Sequence, residues 1–213
     1  MSNSSALNER VSIPGPAGAL EVLIEEAGTA QAADCYAVIC HPHPLYGGTM
    51  DNKVVTTLAR ALHEVGMPTL RFNFRGVGAS AGAFDQGNGE TADADAVATH
   101  GAARWPGKRL VIAGFSFGGY VALRLALTRA AARLITVAPA IQRFDLTAHE
   151  LPDCPWLVVQ GDADDVVDPG AVIDWARGLL PAPRLVVLPG VGHFFHGHLH
   201  ELRDAVIDSI RSG

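Results

Sequence analysis

The chain has 213 residues, 48% of them hydrophobic and 18% charged, which fits one globular domain with a substantial core and excludes a disordered or membrane-spanning protein. A formal charge of −6 with no Lys/Arg cluster leaves no footprint for nucleic acid or for an anionic membrane. The cysteines, Cys35, Cys40 and Cys154, are odd in number and lack metal-ligand spacing, so free thiols in a reducing cytoplasm are expected, and Met1 to Arg10 lack the basic-then-apolar order of a signal peptide.

Two short apolar-rich segments, Arg10 to Pro14 and Leu20 to Glu26, flank Pro14-Gly15-Pro16-Ala17-Gly18. They predict an antiparallel hairpin at a sheet edge, where proline is tolerated. Tyr36 to Cys40 is a continuous apolar run, the pattern of a strand buried on both faces, and Cys40 reads as a small core residue. It runs into His41-Pro42-His43-Pro44-Leu45-Tyr46-Gly47-Gly48, whose prolines exclude a helix and place a loop at the strand's carboxyl end. Asp51 or Asn52 caps a helix carrying Val54, Val55, Leu58, Ala61, Leu62 and Val65 at helical spacing, and Gly66 ends it. Thr69 to Phe74 is the next strand. The Arg75-Gly76-Val77-Gly78-Ala79-Ser80 stretch after it lacks the spacing of a nucleotide fingerprint and reads as glycine use in tight turns. A Gly-rich loop then leads to a helix from Glu90 to Trp105, acidic at its start as the helix dipole prefers.

The apolar run Leu110 to Ala113 ends in Gly114-Phe115-Ser116-Phe117-Gly118, and Val121 to Thr128 continues as a helix former. This is the strand, turn and helix context of a Gly-x-Ser-x-Gly nucleophile elbow. A turn so sharp strains the serine backbone and demands glycines two residues before and after. Leu134 to Ala138, Trp156 to Gln160 and Leu185 to Leu188 are further strands, with a helix from about Gly170 to Leu180 and a last one over Leu199 to Arg211. Alternating strands and helices predict a single α/β domain over residues 1–213, its central sheet mostly parallel and flanked by helices through right-handed crossovers.

In such a sheet the ligand site lies beyond the carboxyl ends of the strands. The His-Pro loop, the elbow, Gly161-Asp162-Ala163-Asp164-Asp165-Val166-Val167-Asp168 and Gly190-Val191-Gly192-His193-Phe194-Phe195 all fall there. A serine hydroxyl near neutral pH needs a base, and the base needs an orienting anion. Ser116 as nucleophile, one of these aspartates as the acid and His193 as the base occur in the chain order Ser, Asp, His.

On these residues the chain resembles the α/β-hydrolase superfamily, and within it the small, lidless serine hydrolases close to dienelactone-hydrolase-like esterases. His-Pro-His-Pro with Gly47-Gly48, Arg-Gly-x-Gly-x-Ser, Gly-x-Ser-x-Gly, Gly-x-x-Asp and Gly-His stand in family order, from about Val38 to the C-terminus. The Gly-x-x-Asp spacing of the family selects Asp164, with Asp165 one residue away. The resemblance also implies an oxyanion hole of two backbone N–H groups. Phe117 supplies one; the loop that carries His-Gly-X in the family supplies the other, which is His43 here. Proline replaces that glycine, and Pro42 and Pro44 carry no N–H, so the nearby donors are His43, Leu45 or Tyr46. The His41 and His43 side chains are expected to fix the loop by hydrogen bonds.

Leu45, Tyr46 and Phe194 are assigned to the substrate pocket, and Phe84, Phe117 and Phe195 are further candidate walls, with simple core packing the competing expectation for each aromatic. His193, His196, His198 and His200 lie around a turn and a helix start without the second shell of a metal site, so no metal and no cofactor are expected. The interval Pro139 to Pro155 has room for a loop and a helical turn but no cap domain, which points to an open site for small acyl groups. The implied activity is hydrolysis of small carboxylic esters or thioesters through an acyl-enzyme, with a small-molecule ester as partner and a homodimer left open. A peptidase or amidase of the same fold, and a non-catalytic scaffold, are the competing expectations.

Overall fold

The computed structural model describes residues 8–28, 33–143 and 151–212. Strands β1 (Asn8–Gly15), β2 (Gly18–Glu25), β3 (Cys35–Cys40), β4 (Thr69–Phe72), β5 (Arg109–Phe115), β6 (Arg133–Val137), β7 (Trp156–Gly161) and β8 (Arg184–Leu188) form one eight-stranded sheet in the order β1-β2-β4-β3-β5-β6-β7-β8. The β1–β2 hairpin is antiparallel at the edge and pairs antiparallel with β4, while β4, β3 and β5 to β8 run parallel.

The apolar strands are apolar throughout because both faces are covered. Along β3, Tyr36, Val38 and Cys40 enter one core and Cys35, Ala37 and Ile39 the other, as the two-residue period of a strand requires. Helices α2 (Asn88–Arg104), α3 (Phe117–Thr128) and α4 (Pro169–Gly178) bury Val97, Val121 and Val172 in the first core. Helices α1 (Lys53–Glu64) and α5 (Leu199–Arg211) bury Leu58 and Leu202 in the second. Handedness explains the split for the crossover helices. The chain steps from β3 outward to β4 through α1 in one direction, then from β4 back across β3 to β5 and on to β8 in the other. Right-handed crossovers of opposite direction lie on opposite faces; α5, which follows the last strand, packs beside α1. The reversal beside β3 opens the crevice in which such sheets bind ligands.

Element boundaries shift for identifiable reasons. Asn52, not Asp51, caps α1, its side chain accepting from the Val54 amide at 2.9 Å, while Asp51 faces Arg71 at 3.3 Å. Strand β4 stops at Phe72 rather than Phe74, because the Phe74 amide leaves the ladder for the His41 ring. Helix α2 begins at Asn88, two residues early, since the Glu90 carboxylate accepts from the Asp85 and Gly87 amides at 2.8 and 2.7 Å. Helix α4 closes at Gly178 instead of reaching Leu180. In the Pro139 to Pro155 interval, Ile141–Arg143 forms a 3-10 turn, and the rest of that expectation falls partly on residues 144–150, outside the described residues, as do residues 1–7 of the expected N-terminal reading. Among the described residues no helix is long and apolar enough to cross a membrane.

Candidate active site

Strand β5 delivers Ser116 to the carboxyl edge of the sheet with φ 56° and ψ −118°, a region that L residues rarely occupy. Local bonds hold it there. Its amide donates to the Val137 carbonyl at 2.9 Å, and its carbonyl accepts from the Gly119, Tyr120 and Ala140 amides at 2.9, 3.3 and 3.3 Å. The flanking glycines are required by close approach: a Cβ on Gly114 would overlap the Gly118 carbonyl, and one on Gly118 would overlap the carbonyls of Cys40 and His41. The elbow therefore presses directly on the loop after β3.

The structure brings Asp164 and His193 to the same point. Asp164 follows β7 in a tight turn, and its carboxylate is saturated. Oδ1 accepts from the Val166 and Val167 amides at 2.9 and 2.8 Å; Oδ2 meets His193 Nδ1 at 2.8 Å and Gln160 Nε2 at 3.1 Å. Burial alone would raise this carboxyl, yet it is held below the ordinary aspartate value, because the His193 bond and the two amides stabilise the anion. With Asp164 ionised, His193 Nδ1 carries the proton and Nε2 is left to accept from Ser116 Oγ, 3.1 Å away. Phe115 and Phe194 flank the imidazole with ring centroids 5.0 and 5.1 Å away. Geometrically, this arrangement can take a proton from the serine hydroxyl and stabilise the resulting imidazolium.

The other aspartates of the turn have separate work. Asp162 accepts from the Gly190 amide at 2.6 Å, Asp168 caps α4, and Asp165 is exposed. Gln160 was not anticipated as a site residue. The one signal for it is an amide closing the apolar run Trp156 to Val159, four residues before Asp164; its nitrogen bonds both Asp164 and the Gly161 carbonyl, which fixes the amide's orientation. Asp164→Asn is expected to lower kcat by roughly 10⁴-fold. With the asparagine oxygen on the Val166 and Val167 amides, its NH₂ opposes Nδ1 and drives the imidazole to the wrong tautomer. Steady-state kinetics with Asp165→Asn as a near-neutral control checks this, and equal losses in both would refute it.

Two amides of the loop after β3 bond back onto His43. Leu45 N–H donates to His43 Nδ1 at 3.2 Å and Tyr46 N–H to the His43 carbonyl at 3.1 Å, so both are committed within the loop. The His43 ring lies 4.9 Å from that of Phe117, 4.8 Å from Phe84 and 4.8 Å from Tyr46. His41 and His43 both fix the loop by hydrogen bonds, as expected. Leu45 and Tyr46 are 68% and 87% exposed and Phe194 is 45% exposed, so none of the three forms an enclosing wall; Tyr46 lies against the His43 ring and Phe194 against His193. Phe117 and Phe195 are both buried, as core packing requires, Phe195 in the core cluster that α1 and α5 share. Cys40 is fully buried, which pushes its thiol well up, and His198 bonds Glu201 at 3.0 Å.

The family model described as serine aminopeptidase, S33, matches residues 38–153. An uncharacterised protein of Rickettsia prowazekii is 33% identical over 204 residues, covering 91% of this chain and 85% of that protein. The structure of an α/β serine hydrolase homologue from Coxiella burnetii superposes with a TM-score of 0.90 at 43% identity, covering 99% of this chain and 98% of that one. A Xanthomonas campestris protein, described as an α/β serine hydrolase without lid, gives 0.91 at 43% identity, covering 100% and 97%.

Proposed function

The chain belongs to the α/β-hydrolase superfamily as a lidless serine hydrolase, and from that membership we propose that it cleaves small carboxylic esters or thioesters through an acyl-enzyme on Ser116. The observation that carries the reading is the unbroken run of hydrogen bonds from Ser116 Oγ through His193 to Asp164. Ser116 Oγ attacks the acyl carbon as its proton passes to His193 Nε2. The tetrahedral oxyanion is held by the His43 and Phe117 N–H groups. Collapse breaks the bond to the leaving alkoxide or thiolate, which takes the proton back from the imidazolium. Water then repeats the two steps on the acyl-enzyme, releasing the acid and the free serine. The short interval after β6 and the exposed Leu45, Tyr46 and Phe194 favour small acyl groups, and the three free thiols at Cys35, Cys40 and Cys154 favour the cytoplasm.

Fluorophosphonate labelling followed by peptide mapping tests the mechanism. A single adduct on Ser116, absent in His193→Ala, together with faster turnover of acetyl than of decanoyl p-nitrophenyl esters, is the expected result. No adduct on folded protein would replace this reading with the scaffold one. The family description favours a second reading, amide cleavage as in an aminopeptidase. Turnover of aminoacyl anilides exceeding that of short esters would select it.

A further inference from the structure

We propose that His41 is a positioning residue for the oxyanion site, its imidazole bridging the Phe74 amide and the Pro42 carbonyl so that the His43 N–H is aimed at the acyl oxygen. The inference rests on the acyl-enzyme reading. His41 directly follows β3 and is completely buried, with Nδ1 2.6 Å from the Pro42 carbonyl oxygen and Nε2 3.0 Å from the Phe74 nitrogen. Phe74 offers an N–H, so Nε2 must accept. The ring proton therefore resides on Nδ1 and is donated to Pro42. Apolar burial holds the ring neutral, moving it down to about 4, although the Pro42 carbonyl favours the charged form.

Peptide geometry carries this bond to the site. The Pro42–His43 bond is trans, and across a trans peptide the carbonyl and the following N–H point in opposite directions. Holding the Pro42 carbonyl toward His41 turns the His43 N–H away from it. Pro42 and Pro44 bring no N–H of their own to pin the loop, and the Leu45, Tyr46 and Gly48 amides all bond to His43. The His41 side chain is what ties the Pro42 end of the loop to Phe74, two residues beyond the end of β4. Its own carbonyl lies against Gly118 of the elbow, so loop, elbow and β4 meet at this residue. An oxyanion donor is effective only when pre-aimed at the developing charge.

Two substitutions separate the bonds. In His41→Asn the side-chain NH₂ stands where Nδ1 stood and keeps the Pro42 contact; in His41→Gln the amide oxygen stands at the Nε2 position and keeps only the Phe74 contact. His41→Gln is expected to lose roughly 10- to 100-fold in kcat with KM within about twofold, and to bind a tetrahedral-adduct-forming boronic acid correspondingly less tightly. His41→Asn is expected to rescue kcat to within about threefold of wild type although both variants lower Tm. Equal kcat losses in the two, or none in His41→Gln, would overturn the proposal. Nitrogen-15 NMR of the wild-type ring provides a readout independent of either variant's folding. A neutral Nδ1–H tautomer persisting at pH 5 supports the bridge, and an Nε2–H tautomer or a charged ring at that pH overturns it. Ester turnover that survives Ser116→Ala would remove the acyl-enzyme reading and this role together. Ser116-dependent turnover with indistinguishable His41 variants would remove this role alone.

Discussion

Ser116→Ala and His193→Ala are each expected to lower kcat/KM for a short ester by about 10⁴-fold or more, with the double variant losing little further. The two side chains act as one device. Ser116 Oγ is a competent nucleophile only while His193 Nε2, 3.1 Å away, takes its proton, and the imidazole has no proton to take without the hydroxyl. Removing either member therefore disables both. Residual rate over water would come from binding and from the proposed His43 and Phe117 oxyanion donors. Folding should survive, because the elbow is held by the Ser116 main chain rather than by its side chain: the amide bonds to Val137 and the carbonyl bonds to Gly119, Tyr120 and Ala140 remain in place. Matching circular dichroism and a Tm within a few degrees would establish that. A single variant retaining a tenth of wild-type turnover, or single losses that multiply in the double variant, would contradict the shared mechanism.

Gly118→Ala is expected to cost about 3 kcal/mol or more, lowering Tm by roughly 6–12 °C for a chain of this size, and to depress activity beyond what reduced stability explains. One methyl group does this because of what it meets. At Gly118 it overlaps the main-chain carbonyls of Cys40 and His41, at the end of a buried central strand. Backbone in a sheet cannot rotate aside as a flexible side chain can, so the loop after β3 and the elbow must separate. On the acyl-enzyme reading that separation moves the proposed His43 and Phe117 donors apart, and such donors are useful only when they converge. Gly178→Ala is the control. Gly178 ends α4 with nothing near the added carbon, so its effect should be close to zero or slightly stabilising. Thermal melts and kcat on all three proteins, measured well below Tm, decide the matter. A Gly118→Ala protein as stable as Gly178→Ala would show that the contact can relax.

Much of this protein was determined by the sequence alone, and the reason is locality. Strand and helix identity follows from periods of two and 3.6 residues, and the elbow at Ser116 from the steric demands of five consecutive residues. The alternation of these elements then restricts the topology to a parallel sheet with its site at the carboxyl edge. Other choices depended on partners far away in the chain. Four aspartates stand between Asp162 and Asp168, and only tertiary structure gives Asp164 the four hydrogen bonds of a saturated carboxylate and leaves Asp165 in solvent. Asn52 prevails over Asp51 as the α1 cap because Arg71, a neighbour in space on β4, faces Asp51. Phe194 and Phe195 are adjacent aromatics in the same turn, yet one is exposed and the other lies in the core. Nor could the sequence assign the proton on His41, since its two acceptor and donor partners, Pro42 and Phe74, are 1 and 33 residues away and only the folded sheet brings them to one ring. Backbone sterics act between neighbours and are written in the sequence, whereas hydrogen-bond partnership and burial act through space and exist only once the sheet has formed.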